Sequence, residues 1–173
     1  MSIGIARFLK IVVGTMLLSC VLGVALDLVT ANVAVEYFSI HHPQVVNTKN
    51  PIVLAIIWGV GASWWFGALG GAALGFINHR RQVPLAPGCI LRWVVVACVV
   101  LWVIMITIVV GVYVFAGLIP DDSRGASFEH DRRLMAVALA HQTEYVLGAV
   151  AVVAVGIMTW RSKRLFVESE SKS

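Results

Sequence analysis

Four stretches, 11–38, 52–77, 91–119 and 134–160, are each long and apolar enough to cross a bilayer, whose hydrocarbon core takes about 20 mostly apolar residues. In lipid every backbone amide needs a partner inside its own segment or a closed barrel, so segments of this length can only be helices. Composition agrees: 60% hydrophobic and 13% charged residues contrast with about 45–50% and about 25% in a soluble domain. The expected fold is therefore all-α, an integral membrane four-helix bundle. It forms one domain over 1–173, with a short polar tail at 165–173.

The distribution of Lys and Arg sets the expected orientation. Arg7 and Lys10 precede the first span, Arg80, Arg81 and Arg92 flank the second loop, and Arg161, Lys163 and Arg164 follow the fourth span. Both termini are expected in the cytoplasm, in a bacterial inner (plasma) membrane. The third loop opposes this order in part, since Arg124, Arg132 and Arg133 mix there with Asp121, Asp122, Glu129 and Asp131. Leu17-Leu18-Ser19-Cys20 has the look of a lipoprotein cleavage box, but the apolar run continues through Val21 to Leu26, which favours an uncleaved first helix. Cys20, Cys89 and Cys98 read as small packing residues, because no CxxC or Cys/His spacing suggests a zinc site.

The second span carries Gly59, Ser63, Gly67, Gly71 and Gly75 at four-residue spacing, a glycine-zipper stripe along which a helix can approach another closely. A membrane partner or a second copy of the chain is one expected occupant of that stripe. The pattern lacks the Lys-Ser/Thr ending of a phosphate loop. Trp58, Trp64 and Trp65 lie towards the same end of that span, as an interfacial belt or as the lining of a site. The third span has no charged side chain between Trp93 and Pro120 and is expected to be the most lipid-exposed scaffold helix.

Ionisable groups inside spans are costly and mark functional candidates. Asp27 lies deep in the first span with no basic residue evident at its depth, so that protonation, a hydrogen bond to a hydroxyl such as that of Thr30 or Thr107, or contact with water is expected to compensate it. It is the candidate for a proton route. Asn32 and Glu36, four apart, are expected on one helix face, and Pro43 and Pro51 end the first helix near residues 39–42, leaving His41 and His42 at the boundary. In the fourth span, expected to start near Phe128 with a Glu129–Arg133 pair, His130, Leu134, His141, Tyr145 and Gly148 share a narrow arc and Glu144 stands beside it. The outer half of the bundle thus collects Glu36, Tyr37, His41, His42, His130, His141, Glu144 and Tyr145.

Three functions fit such a constellation. The leading one is structural, an accessory membrane subunit in which Glu36 and Glu144 hydrogen-bond to imidazole, Asn32 or tyrosine and fasten the bundle. The second is a site for zinc, iron, copper or haem using Glu36, His41, His42, His141 and Glu144, although soluble di-iron bundles use two Glu-x-x-His motifs and this chain has one pair in reverse order. The third is proton-coupled transport. Nucleophilic catalysis has no Ser or Cys at a recognisable spacing from His and acid, and the dispersed basic residues give nucleic-acid binding no support.

Overall fold

The computed structural model describes residues 3–43, 45–118 and 126–162, with side chains over 4–43, 45–115 and 130–162. The described chain is all helical: α1 (Ile3–Val33), a one-turn α2 (Val35–Ser39), α3 (Pro51–His79), α4 (Pro87–Leu118) and α5 (Ala126–Arg161). The four long helices each contain a segment able to cross a membrane by length and hydropathy. Their boundaries follow local chemistry. Asn50 caps α3, its Oδ1 accepting from the backbone N–H groups of Ile52 at 3.0 Å and Val53 at 3.3 Å, and Pro51 occupies the first turn, where a missing N–H costs nothing. Pro87 opens α4 in the same way. Between α3 and α4, Asn78 donates to the Leu85 carbonyl and accepts from the Leu85 N–H, closing the turn.

α1 packs most extensively on α3 and α4 on α5, with smaller faces shared by α1 with α4 and by α3 with α5. The helices therefore form a ring in the order α1, α3, α5, α4, with α1 facing α5 and α3 facing α4 across the two diagonals. Contacts fix the directions: Gly4 lies near His79 and Gly14 near Leu91, while Gly70 meets Val152 and Gly156 meets Ile77. Thus α1 runs antiparallel to α3 and parallel to α4, and α3 runs parallel to α5.

The glycine stripe is spent inside the chain. A methyl carbon added to Gly59 would come within 2.5 Å of the Val24 backbone nitrogen, one on Gly67 within 2.6 Å of Ser19, one on Gly71 within 2.8 Å of Val12 Cα, and one on Gly75 within 2.7 Å of Phe8. Ser63 sits where a side chain on Gly23 would go. Small residues at Thr15, Ser19 and Gly23 on α1 answer the stripe on α3, so backbone meets backbone and van der Waals contact holds the pair. A docking partner at these glycines would have to displace α1.

At one end of the bundle, Ile11, Leu74, Ile90, Val94 and Val155 form an apolar layer. Beyond it Arg81 donates to the carbonyls of Thr159, Trp160 (2.8 Å) and Ser162 (2.7 Å), placing a cation on the unpaired carbonyls that end α5. At the other end a second layer contains Ala31, Ala34, Phe38, Leu54, Ala55 and Val137. The Arg132 guanidinium there lies 3.9 Å from the centroid of the Tyr113 ring and donates to the Tyr113 carbonyl, joining α4 to α5.

Several expectations change. The first span does not run to residue 38 as one helix: it breaks at Ala34, whose φ of −144° and ψ of 85° are non-helical. Just before the break Thr30 Oγ1 donates to the Leu26 carbonyl and Asn32 Nδ2 to the Leu28 carbonyl, side-chain bonds to residue i−4 that bend helices. Asn32 and Glu36 consequently do not share a continuous face. The α4 helix is no more lipid-exposed than α3 or α5, because Ile90, Val94, Leu101, Met105 and Val109 turn inward. The fourth long helix starts at Ala126, two residues before the expected position. The expected Glu129–Arg133 pair, the acidic residues Asp121 and Asp122, Arg124, Lys163, Arg164 and the tail lie outside the described side chains.

Candidate functional site

The break at Ala34 positions the site. It ends the deep part of α1 at Val33 and lays α2 over the end of the bundle, so that Tyr37 and Phe38 turn toward α5 and α3. Beneath them, Asp27 from α1 and His141 from α5 meet across a diagonal of the ring. His141 Nε2 lies 3.4 Å from Asp27 Oδ1, and its Nδ1 lies 3.8 Å from Glu144 Oε2 on the next turn of α5. The hydroxyl of Thr30 is 3.4 Å from the same Nε2. The side chains of Asp27, His141 and Glu144 are only 5%, 14% and 16% exposed. At 1.5 Å per residue, Asp27 stands roughly 9 Å inside the end of α1.

An imidazole has two ring nitrogens, one donor and one acceptor when neutral and both donors when protonated. Here each nitrogen faces a carboxyl group from a different stretch of chain. The separations are those of ion pairs, not hydrogen bonds, and the two carboxylates would balance an imidazolium on this ring. Aromatic packing holds the ring: Tyr37 stacks on His141 with centroids 5.1 Å apart and planes 11° apart, and Phe38 meets it edge-on at 5.6 Å. His42 extends the stack, 4.8 Å from Tyr37 and 4.7 Å from Trp58, its Nδ1 2.8 Å from the Tyr37 carbonyl oxygen. Burial, and then the charge of Asp27, push the Tyr37 phenol above its ordinary value, which keeps that hydroxyl neutral near pH 7.

The structure thus brings together His141, Glu144, Tyr37 and His42 from the sequence constellation and adds Asp27. Its partner is neither of the two hydroxyls alone, since Thr107 donates to the Val103 carbonyl on α4 while Thr30 stands beside His141. Glu36 is half-buried on α2, where its carbonyl oxygen accepts from the N–H groups of Ile40 and His41. Both His41 and His130 are exposed. Asn32 is exposed and bonded to its own helix. Tyr145 packs against Trp65 and Phe66. Among the described residues no group of three or more His, Cys, Asp and Glu side chains is placed to hold a metal ion, so the expected metal set of Glu36, His41, His42, His141 and Glu144 draws no support from this geometry.

Below the cluster lies a cavity of about 60 Å³ bordered by all four long helices, with Glu144 and Tyr145 on its wall. No family model, curated protein or solved structure matches this chain.

Proposed function

We propose that this small integral membrane protein carries an intramembrane proton-exchanging site in which His141 relays protons between Asp27 and Glu144. The observation that supports it most is that both ring nitrogens of one buried histidine face carboxyl groups. Three ionisable side chains at membrane depth are expensive, and proton relays are a use that justifies the expense. Proton-coupled movement of a solute is the activity class that such a site serves. Arg7, Lys10, Arg80, Arg81, Arg92 and Arg161 lie toward the end of the bundle opposite α2, against Arg132 and Arg133 at the α2 end, a bias that by the positive-inside rule supports cytoplasmic termini.

A structural role, as an accessory membrane subunit, is the second reading, favoured by one specific observation: α1 and α5 share only a small face, and the Asp27–His141 contact bridges it. Here the polar contacts would fasten a diagonal of the bundle. Isosteric amides separate the two. Infrared difference spectra of the protein in bilayers, taken across a pH titration, are expected to show carboxyl protonation bands, one lost in Asp27→Asn and another in Glu144→Gln, with circular dichroism checking that each variant folds. A wild-type spectrum without a titrating buried carboxyl would remove the proton-exchange function and leave the fastening role.

A further inference from the structure

The Thr15 side chain is 4% exposed, and its Oγ1 has no hydrogen-bond partner. It lines the cavity whose wall also includes Ser19, Ser63 and Glu144. A buried hydroxyl without a partner is destabilising, and buried polar atoms that lack a protein partner are commonly met by ordered water. We propose that this cavity is a hydrated compartment whose waters link Glu144 to Thr15 and extend the proton site inward, toward the end opposite α2.

Volume and chemistry agree. About 60 Å³ is room for at least about two waters, each of which needs two to four polar partners. Three hydroxyls and a carboxyl group supply them. Thr15, Ser19 and Gly23 follow one another at four-residue spacing on α1, and Asp27 continues the series, so the hydroxyls and the cluster occupy successive turns of the same helix. Closely approaching glycines opposite them leave Ser19 beside Gly67 and Ser63 beside Gly23. Leu74, Val94 and Val155 of the apolar layer below Thr15 border the cavity on the side away from Glu144. The ligand is water.

The inference rests on the proton-exchange reading for its purpose but not for its test. Water-edited solid-state NMR of the full chain in bilayers measures how fast magnetisation passes from water to each side chain. Thr15, Ser19 and Ser63 are expected to build up at least about threefold faster than Leu17 and Val21, whose side chains face outward on α1. In Thr15→Val and in Cys98→Leu, which fills the cavity from α4, transfer to Ser19 and Ser63 is expected to fall toward the rate at Leu17. Build-up at Thr15 no faster than at Leu17 in the wild type would overturn the hydrated compartment while leaving the cluster's infrared titration intact. Fast build-up at Thr15 with no carboxyl titration would support the water and overturn only its link to proton exchange.

Discussion

His141 touches the described parts of α1, α2 and α5 with one ring, and replacing it removes a partner from two acids at once. His141→Leu is expected to lower stability by about 1–3 kcal/mol, the cost of leaving buried polar groups unmet, whereas His130→Leu and His41→Ala, at exposed positions, are expected to stay within about 0.5 kcal/mol. Reversible unfolding in mixed micelles checks the contrast. His141 with Glu144 is a spacing of three on one helix, and that much was legible in the sequence. The Asp27 partner was not, because it lies on a helix diagonally across the ring and spacing along one helix says nothing of that pairing. The break at Ala34, beside the side chain to backbone bonds of Thr30 and Asn32, is likewise a feature that no pattern of hydropathy reports. Glu36 was drawn into the expected site by the assumption of an unbroken helix.

Among the elements, the α1–α3 pair depends most on single atoms. Gly59→Ala drives a methyl group into the backbone of Val24, whereas a methyl on Gly61 meets nothing within 4 Å. The first is expected to cost about 1–3 kcal/mol as overpacking, and the second to be neutral or slightly stabilising through helix propensity, again read by unfolding in micelles. The stripe on α3 was visible at four-residue spacing. Its complement on α1, Thr15, Ser19, Gly23, Asp27 and Ala31, has the same spacing but is interrupted by a carboxyl group and hydroxyls, so that it does not stand out as glycines do. The end of α5 depends on Arg81. Arg81→Ala strips three carbonyls of their donor and is expected to raise amide hydrogen exchange at Met158 to Ser162 while the α2 end of the helix is unchanged.

For the molecule as a whole, the sequence implied four spans but not their order around the ring. Residues 80–86 between α3 and α4 can reach roughly 23 Å when extended, enough to join neighbours or to cross a diagonal, so connection length does not choose. The choice is made by the glycine face, which takes α1, and by the Arg81 cap, which brings the end of α3 to the end of α5. In a background without the native cysteines, Gly4→Cys with His79→Cys, which meet at ordinary contact distance where α1 begins and α3 ends, is expected to cross-link on mild oxidation. The pair Trp64→Cys with Val99→Cys, on diagonally opposed helices and both exposed, is expected not to form one within a monomer. Gel mobility under non-reducing conditions reports both.

The spatial claim beneath all of this is that one imidazole lies between two carboxyl groups within the membrane. Carbon–nitrogen dipolar recoupling in bilayers, with labelled histidine nitrogens and labelled Asp and Glu carboxyl carbons, measures it directly. The Nε2 signal of His141 is expected to dephase on the Asp27 carboxyl carbon and the Nδ1 signal on that of Glu144, as their N···O separations of 3.4 and 3.8 Å require, with each effect lost in Asp27→Asn or Glu144→Gln samples that carry no label in the new side-chain amide. A His141 ring that shows no dephasing from either acid would contradict the cluster, and with it the function built on it.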